Sequence, residues 1–381
     1  MALDKVIDSA KLEEDLTSVA NAIREKTGST DPIAFPDGFV EQVGAIQTGG
    51  GVDKIQYWVD NIGCVGMFYK QMNIKYANVK ELFSNIDTSN VTSMADMFYC
   101  CDQLGSVPLF NTSNVTNMQQ MFDGCTRLNN IPLFDTGNVT NMAKMFSGCA
   151  IHCDIVIPQF DTRNVTSMYA MFYGCYCLTT VPLFNTSNVT NMQQMFDGCR
   201  SLTAVPLFDT GNVTNMAKMF SGCTVLNNIP LFDTGNVTDI SRMFYNCKSL
   251  TTVPLFDMRS VTSTSYMFNG CLVLTEVWLR NIKCNLQVGS GTSYGHLLTV
   301  DSLVHLCYEL RDTGSSKTLT VGSANLEKLA SVYVRSIEIT DGMRAEDDLI
   351  DEKLPFEVCE STDEGATLIS EYIQLKNWIL A

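Results

Sequence analysis

The tripeptide Asn-Val-Thr returns at Asn90, Asn114, Asn138, Asn164, Asn188, Asn212 and Asn236, and once more as Ser260-Val261-Thr262. Successive markers are 24 residues apart at every step but one, which is 26. Eleven residues after each marker stands a cysteine: Cys101, Cys125, Cys149, Cys175, Cys199, Cys223, Cys247 and Cys271. A fixed period of this length is the signature of stacked supersecondary units. A coil of two dozen residues is too short to enclose a core, so its apolar side chains are buried only against copies in the neighbouring coils. The chain is therefore expected to be an α+β repeat, a solenoid of about eight coils with short parallel strands and short helices.

Within the coil that starts at Asn114, the expected interior is Val115, Met118, Met121, Phe122, Cys125, Leu128 and Ile131. Met118, Met121 and Phe122 have helical i, i+3, i+4 spacing, so residues 117–124 read as a short helix or 3₁₀ turn ended by Gly124. Residues 128–133 read as a strand stacked in parallel on its equivalents. With strands about 4.8 Å apart, eight coils would be roughly 40 Å long. Pro132 conflicts with a central ladder because it has no N–H, and it is expected at a strand edge or corner. The single long spacing is placed by two extra residues near His152 and Cys153, read as a bulge.

A second regularity overlies the first. Residues 108–125 recur unchanged as 182–199, and residues 132–149 as 206–223. Both shifts are 74 residues, three coils plus the insertion, which points to an internal duplication. A scaffold in which each coil touches only its neighbours tolerates such a change in coil number.

The flanks divide the chain into an N-terminal module (1–48), the solenoid (52–285) and a C-terminal cap (286–381). Leu12, Leu16, Val19 and Ile23 form an apolar helical stripe suited to attachment or oligomerisation. Gly49-Gly50-Gly51 follows as a flexible joint. Leu303, Leu306, Cys307 and Leu310 mark an amphipathic helix after Asp301 or Ser302 as N-cap, expected to cover the open end of the stack. An acidic insertion at 337–365 interrupts the cap and reads as a solvated loop or a cation site.

The net charge of -16 argues against nucleic acid or an anionic membrane as partner, since both reward clusters of Lys and Arg. No run of about 18 consecutive apolar residues suggests membrane insertion, and the first residues do not read as a signal peptide. The chain is accordingly expected to fold in a cytoplasm, with its 15 cysteines as reduced thiols.

One cysteine per coil at a fixed place is better explained by packing than by metal or redox chemistry, because neighbouring coils offer no tetrahedral convergence. Asn-Val-Thr matches the N-glycosylation acceptor, but seven copies fit an Asn/Thr ladder that bonds the backbone. His152, His296 and His305 join no nucleophile or metal signature, and the 289–292 loop is no phosphate cradle. The chain is expected to be no enzyme and to need no metal and no cofactor.

Comparing the coils with one another leaves a set of outward, varying positions. Tyr99, Tyr169, Tyr173, Tyr176 and Tyr245, with Arg127, Arg200 and Lys248, are the candidate ligand-binding residues. Tyrosine rings stack and their hydroxyls bond at low entropy cost, which suits a sugar or protein surface.

The ordered set Asn-Val-Thr-x-Met-x-x-Met-Phe-x-x-Cys-x-x-Leu, over residues 78–279, resembles the bacterial surface-protein repeats of the BspA-like leucine-rich class. The chain departs from many of these in having Pro-Leu-Phe where they carry Leu-x-x-Phe. The resemblance implies a right-handed leucine-rich-repeat solenoid and a role in adhesion or recognition. Residues 12–46 are similar to a module of phage and prophage tail proteins of Gram-positive gut bacteria, and Leu298-Thr299-Val300, Lys317-Thr318-Leu319 and Asn377-Trp378-Ile379-Leu380 resemble a C-terminal cap that follows such repeats. Together these imply a tail or prophage host-binding protein, carried in the virion, that meets a bacterial surface glycan or protein. Other tail or virion proteins, and further copies of the chain in a homo-oligomer, would join through the N-terminal module. A cell-surface or secreted adhesin, or a purely structural virion subunit, are the competing expectations.

Overall fold

The computed structural model describes residues 64–70, 86–149, 156–288, 298–310 and 317–321, strand segments at 333–336, 356–359, 367–368 and 378–380, and the single residues 56, 59, 79, 80, 83 and 325. The N-terminal stripe of Leu12, Leu16, Val19 and Ile23, the two-residue insertion, the 289–292 loop and the acidic insertion lie outside the described residues.

The repeats form stacked coils around one continuous apolar interior. Val115, Met118, Met121, Phe122, Cys125 and Leu128 are fully buried and Ile131 nearly so, as the period requires. Two columns of phenylalanine run through the stack. Phe98, Phe122, Phe146, Phe172, Phe196, Phe220, Phe244 and Phe268 form one, with near-parallel neighbours such as Phe220 and Phe244 at 5.9 Å. The Pro-Leu-Phe phenylalanines form the other, with Phe110 and Phe134 at 6.1 Å. At about 2 kcal/mol for each buried phenylalanine, these columns are a principal cohesive element of the stack.

The segment expected to be helical is not a helix. In residues 118–125 the backbone amides alternate between two kinds of partner. Met118, Gln120, Phe122 and Gly124 donate to carbonyls of the next coil, those of Asn141, Ala143, Met145 and Ser147, at 3.0, 2.9, 3.0 and 2.8 Å. Met121, Asp123 and Cys125 turn back on Met118, Gln120 and Phe122 at 3.3, 3.1 and 3.0 Å. The result is a chain of overlapping β-turns that directs every second N–H along the stack. The turns Met118–Met121 and Phe122–Cys125 hold a left-handed residue in third place, Gln120 (φ 54°) and Gly124 (φ 78°), as a type II turn requires. The i, i+3, i+4 spacing is met by turns because they, like a helix, return the chain to one side every three to four residues.

The strand pairing also lies elsewhere than expected. Single parallel bridges join Asn117 to Asn141, Asn141 to Ser167, and so on through Ser263. In the 128–133 segment the bridge is Ser106 to Asn130. Extended pairing at the prolyl position develops only at the C-terminal end of the stack. There β1 (Thr252–Asp257) pairs in parallel with β2 (Glu276–Arg280), and the register slips between Val253 and Phe256, around Pro254. Proline has no ladder donor, and in the described coils before β1 the segment is in no strand; the Phe134 and Phe160 amides turn back instead on the Pro132 and Pro158 carbonyls, at 3.0 and 2.9 Å.

The end of the stack is covered by α1 (Val300–Tyr308). Its N-cap is Thr299, whose Oγ1 accepts from the Ser302 amide, rather than Asp301 or Ser302. Leu303, Leu306, Cys307 and Leu310 are buried as expected. Ser302 Oγ accepts from the Val277 amide and donates to the Val277 carbonyl, and His305 Nε2 lies 2.9 Å from the Leu279 carbonyl. Beyond α1, β3 (Leu286–Gln287), β4 (Lys317–Thr320) and β8 (Trp378–Leu380) form a parallel sheet. An antiparallel sheet is made by β5 (Tyr333–Ser336), β6 (Phe356–Cys359) and β7 (Thr367–Leu368). No helix among the described residues is long and apolar enough to cross a membrane.

Candidate functional site

The frame of each coil is held by side chains that are the same in nearly every repeat. Asn114, Asn138, Asn164, Asn188, Asn212 and Asn236 each donate Nδ2 to a carbonyl of the preceding coil at 2.6–2.7 Å. Ser260 Oγ does the same at 2.6 Å where the motif has lost its asparagine. The threonine of the motif donates to the equivalent threonine one coil back, as Thr214 does to Thr190. The Asn/Thr ladder expected from the sequence is thus present, at a turn leading into turns rather than a helix.

The cysteines line the interior and are more than packing. Each thiol from Cys101 to Cys271 lies 3.0–3.2 Å from the carbonyl of the Met-Phe phenylalanine one coil back. Burial pushes the Cys271 thiol up to about 12 and raises Cys125 and Cys175 well above the ordinary range. Among the described residues no cluster of His, Cys, Asp or Glu could hold a metal ion.

The positions that vary occupy one edge, the chain of β-turns and the corner after it. Tyr173 and Tyr176 are 44% and 47% exposed in one coil. Tyr169 is half-buried, with its hydroxyl donating to Gln194 at 3.0 Å and the Lys144 ammonium 5.9 Å from its ring. Tyr99 and Tyr245 stand at the Tyr173 position, each three coils from it, roughly 14 Å at the spacing of stacked strands. The tyrosines therefore form three patches on one edge rather than one cluster. Arg127, Arg200 and Lys248 are exposed at the next corner, beyond the turn chain.

Two features of this edge were not singled out in the sequence. Tyr99 stacks on Tyr69 at 4.7 Å, with Lys70 over the Tyr69 ring at 5.2 Å, and burial raises the Tyr99 hydroxyl to about 12. Tyr266 is half-exposed under the Arg242 guanidinium, 5.3 Å from its centroid. Both pairs stand at varying positions of the turn chain, so the coil-to-coil comparison already held the signal. Asp96 stands in the Tyr99 coil and Asp123 at the Tyr99 position of the next. Burial, then the neighbouring Asp123 charge, raises Asp96 to about 6, with Lys144 opposing.

A different face carries the Pro-Leu-Phe leucines. Their neighbours on either side in the sequence are partly or fully buried, yet Leu109, Leu133, Leu183, Leu207 and Leu231 are 68, 61, 58, 62 and 41% exposed. They stand at one position of successive coils, interrupted by Gln159, whose Nε2 donates to the Leu183 carbonyl.

No curated protein matches the chain. A leucine-rich repeat protein from Bacteroides ovatus is similar in structure at 20% identity and a TM-score of 0.33, over 55% of this chain and 64% of that one. The chain thus spans less than two thirds of that relative. Another leucine-rich repeat protein, from Eubacterium ventriosum, aligns at 16% identity and a TM-score of 0.35, over 65% of this chain and 70% of that one. The family described as "Mycoplasma protein of unknown function, DUF285" matches residues 63–180 and 175–278, the same repeats that resemble the BspA-like class. Those matches take in more than half of the sequence and the whole run of eight complete coils, and the chain belongs to this repeat family.

Proposed function

We propose that the protein is a non-enzymatic recognition protein, carried on a phage tail or prophage particle, whose solenoid binds a glycan or protein of a bacterial envelope. The observation that carries this reading is the division of labour within each coil. Ladder residues repeat almost without change, whereas the turn chain and its corner vary and display Tyr173, Tyr176 and Tyr266 to solvent. Side chains freed from packing, mounted on a rigid frame, suit selection for contact. The exposed Tyr173, Tyr176 and Tyr266, the last under the Arg242 guanidinium, supply apolar faces, hydroxyls and positive charge, the mixture found at binding hot spots.

The full chain should bind whole cells of a susceptible host, and Tyr173→Ala/Tyr176→Ala should weaken that binding about tenfold or more without lowering the melting temperature. Mass spectrometry of purified virions should find the chain in the particle. Binding that is indifferent to the tyrosines on every cell type tried would remove the recognition reading. Absence from virions, with cell binding intact, would leave an adhesin of the bacterial surface.

A further inference from the structure

We infer that the leucine face is an interface between two copies of this chain, packed face to face with their solenoid axes parallel and in register. The face is the stretch of each coil from the corner at residues 126–127 to the turn at 137–138, bent at the leucine where the Phe134 amide donates to the Pro132 carbonyl at 3.0 Å. Its outward positions run across the coil in a fixed order. The corner, which carries Arg127 two residues after Cys125 and Arg200 one residue after Cys199, is followed by an Asn/Thr row, then the leucine row, then an acidic edge at Asp135 and Asp209. All four charged residues are exposed. Five exposed leucines over six successive coils, broken at Gln159, mark an interaction surface rather than scattered exposed leucines.

The order of the rows selects the partner and its direction. A two-fold axis parallel to the solenoid axis reverses left and right across the face. Arg127 then meets Asp135 of the other copy and Arg200 meets Asp209, because each pair stands at opposite ends of one such stretch. Each leucine row falls on the other copy's Asn/Thr row. The Thr203 and Thr251 hydroxyls in that row donate inward to carbonyls of the preceding coil, and their methyl groups are left for contact. A two-fold axis across the coils would instead place basic edge on basic edge and acid on acid. Seven coils at about 4.8 Å, each offering about eight extended residues at about 3.3 Å, give roughly 900 Å² per copy. About 1,800 Å² in total is what a stable protein pair buries.

The test is the mass of the full chain in solution. Sedimentation equilibrium should give a dimer whose dissociation constant rises at least about tenfold in Leu183→Lys/Leu207→Lys, two exposed positions where folding is unaffected. A wild-type monomer up to about 100 µM, or a dimer untouched by these changes, overturns the proposal. Direction is read by charge exchange. Arg127→Glu/Arg200→Glu and Asp135→Lys/Asp209→Lys should each dissociate alone and form a heterodimer when mixed. Two folded variants that fail to pair overturn the parallel arrangement. Asp135 and Asp209 also cap a turn by accepting the Gly137 and Gly211 amides. If their lysine variant does not fold, Asp135→Asn/Asp209→Asn serves instead, since Asn111 and Asn185 already make that turn. That variant must then weaken the dimer by itself. Loss of cell binding with the dimer intact would bear on recognition alone, so the two readings fail separately.

Discussion

The Cys125 thiol donates to the Phe98 carbonyl across a coil boundary, at 3.0 Å. The carbonyl it meets is one that also accepts the Cys101 amide within its own coil, so the sulfur fills the second lone pair of a buried acceptor. Size alone would admit alanine at this place. A weak donor repeated once per coil explains why it is cysteine.

Buried, hydrogen-bonded thiols with raised pKa values should resist alkylation in the native state. With iodoacetamide at pH 8, the half-exposed Cys100 and Cys177 should be labelled ahead of the ladder from Cys125 to Cys271, which should react only under denaturant. Peptide mass spectrometry reads this directly, and early labelling of Cys199 would contradict the ladder. Cys199→Ala should cost about 1–2 kcal/mol in urea unfolding, the cost of a small void and an acceptor left short.

The turn chain stores backbone strain at known places. Gly198 has φ 81° and its missing Cβ would lie 3.4 Å from Gly174 Cα, so Gly198→Ala should destabilise by about 1–2 kcal/mol. Lys144 holds φ 57° with a full side chain, and Lys144→Gly should be neutral or stabilising despite the flexibility of glycine. Paired urea melts check both signs.

Thr136 differs from its counterparts. Thr112 and Thr186 donate Oγ1 to carbonyls of the following coil at 2.8 Å, whereas Thr136 Oγ1, in the coil before the two-residue insertion, has no partner. Thr186→Val should therefore cost about 1 kcal/mol, and Thr136→Val should be neutral or stabilising. Equal costs would place a partner on Thr136 as well.

Two aspartates should give opposite pH signatures. Asp96 has a folded pKa near 6, above the ordinary carboxylate value, so its charge destabilises the fold progressively as pH rises from about 4 to about 6. Asp96→Asn suits the left-handed backbone, and should raise stability on the order of 1 kcal/mol at pH 7 with no gain below about pH 4. At Asp257 burial opposes ionisation, but hydrogen bonds from Arg259 and Asn281 and the charge of Arg280 outweigh it and lower the pKa to about 2. Its contribution is complete above about pH 4 and is lost as pH falls toward 2. Asp257→Ala should flatten acid unfolding in that window, followed by circular dichroism.

The interior was legible because repetition acts as its own alignment. A side chain such as Met118 or Phe122 that returns at one offset in every coil has no role consistent with solvent. The Asn-Val-Thr ladder was legible for the same reason, because Asn and Thr supply a donor where two coils meet. The tyrosine edge was legible only as a set of positions. Nothing local in Tyr99, Tyr173 and Tyr245 tells that equivalence in register still leaves them three coils apart.

By itself, then, the order of residues determined that this chain stacks, which groups go inside and where the period slips. Tertiary structure alone decided how the backbone does it. A spacing of three and four fits a helix and a run of turns equally well, and the choice falls to where alternate amides find acceptors, which exist only once a second coil lies alongside. The same holds for the leucine after each proline, whose neighbours on both sides are drawn inward and which is left at the outside of a bend, as where the Phe134 amide folds back on the Pro132 carbonyl.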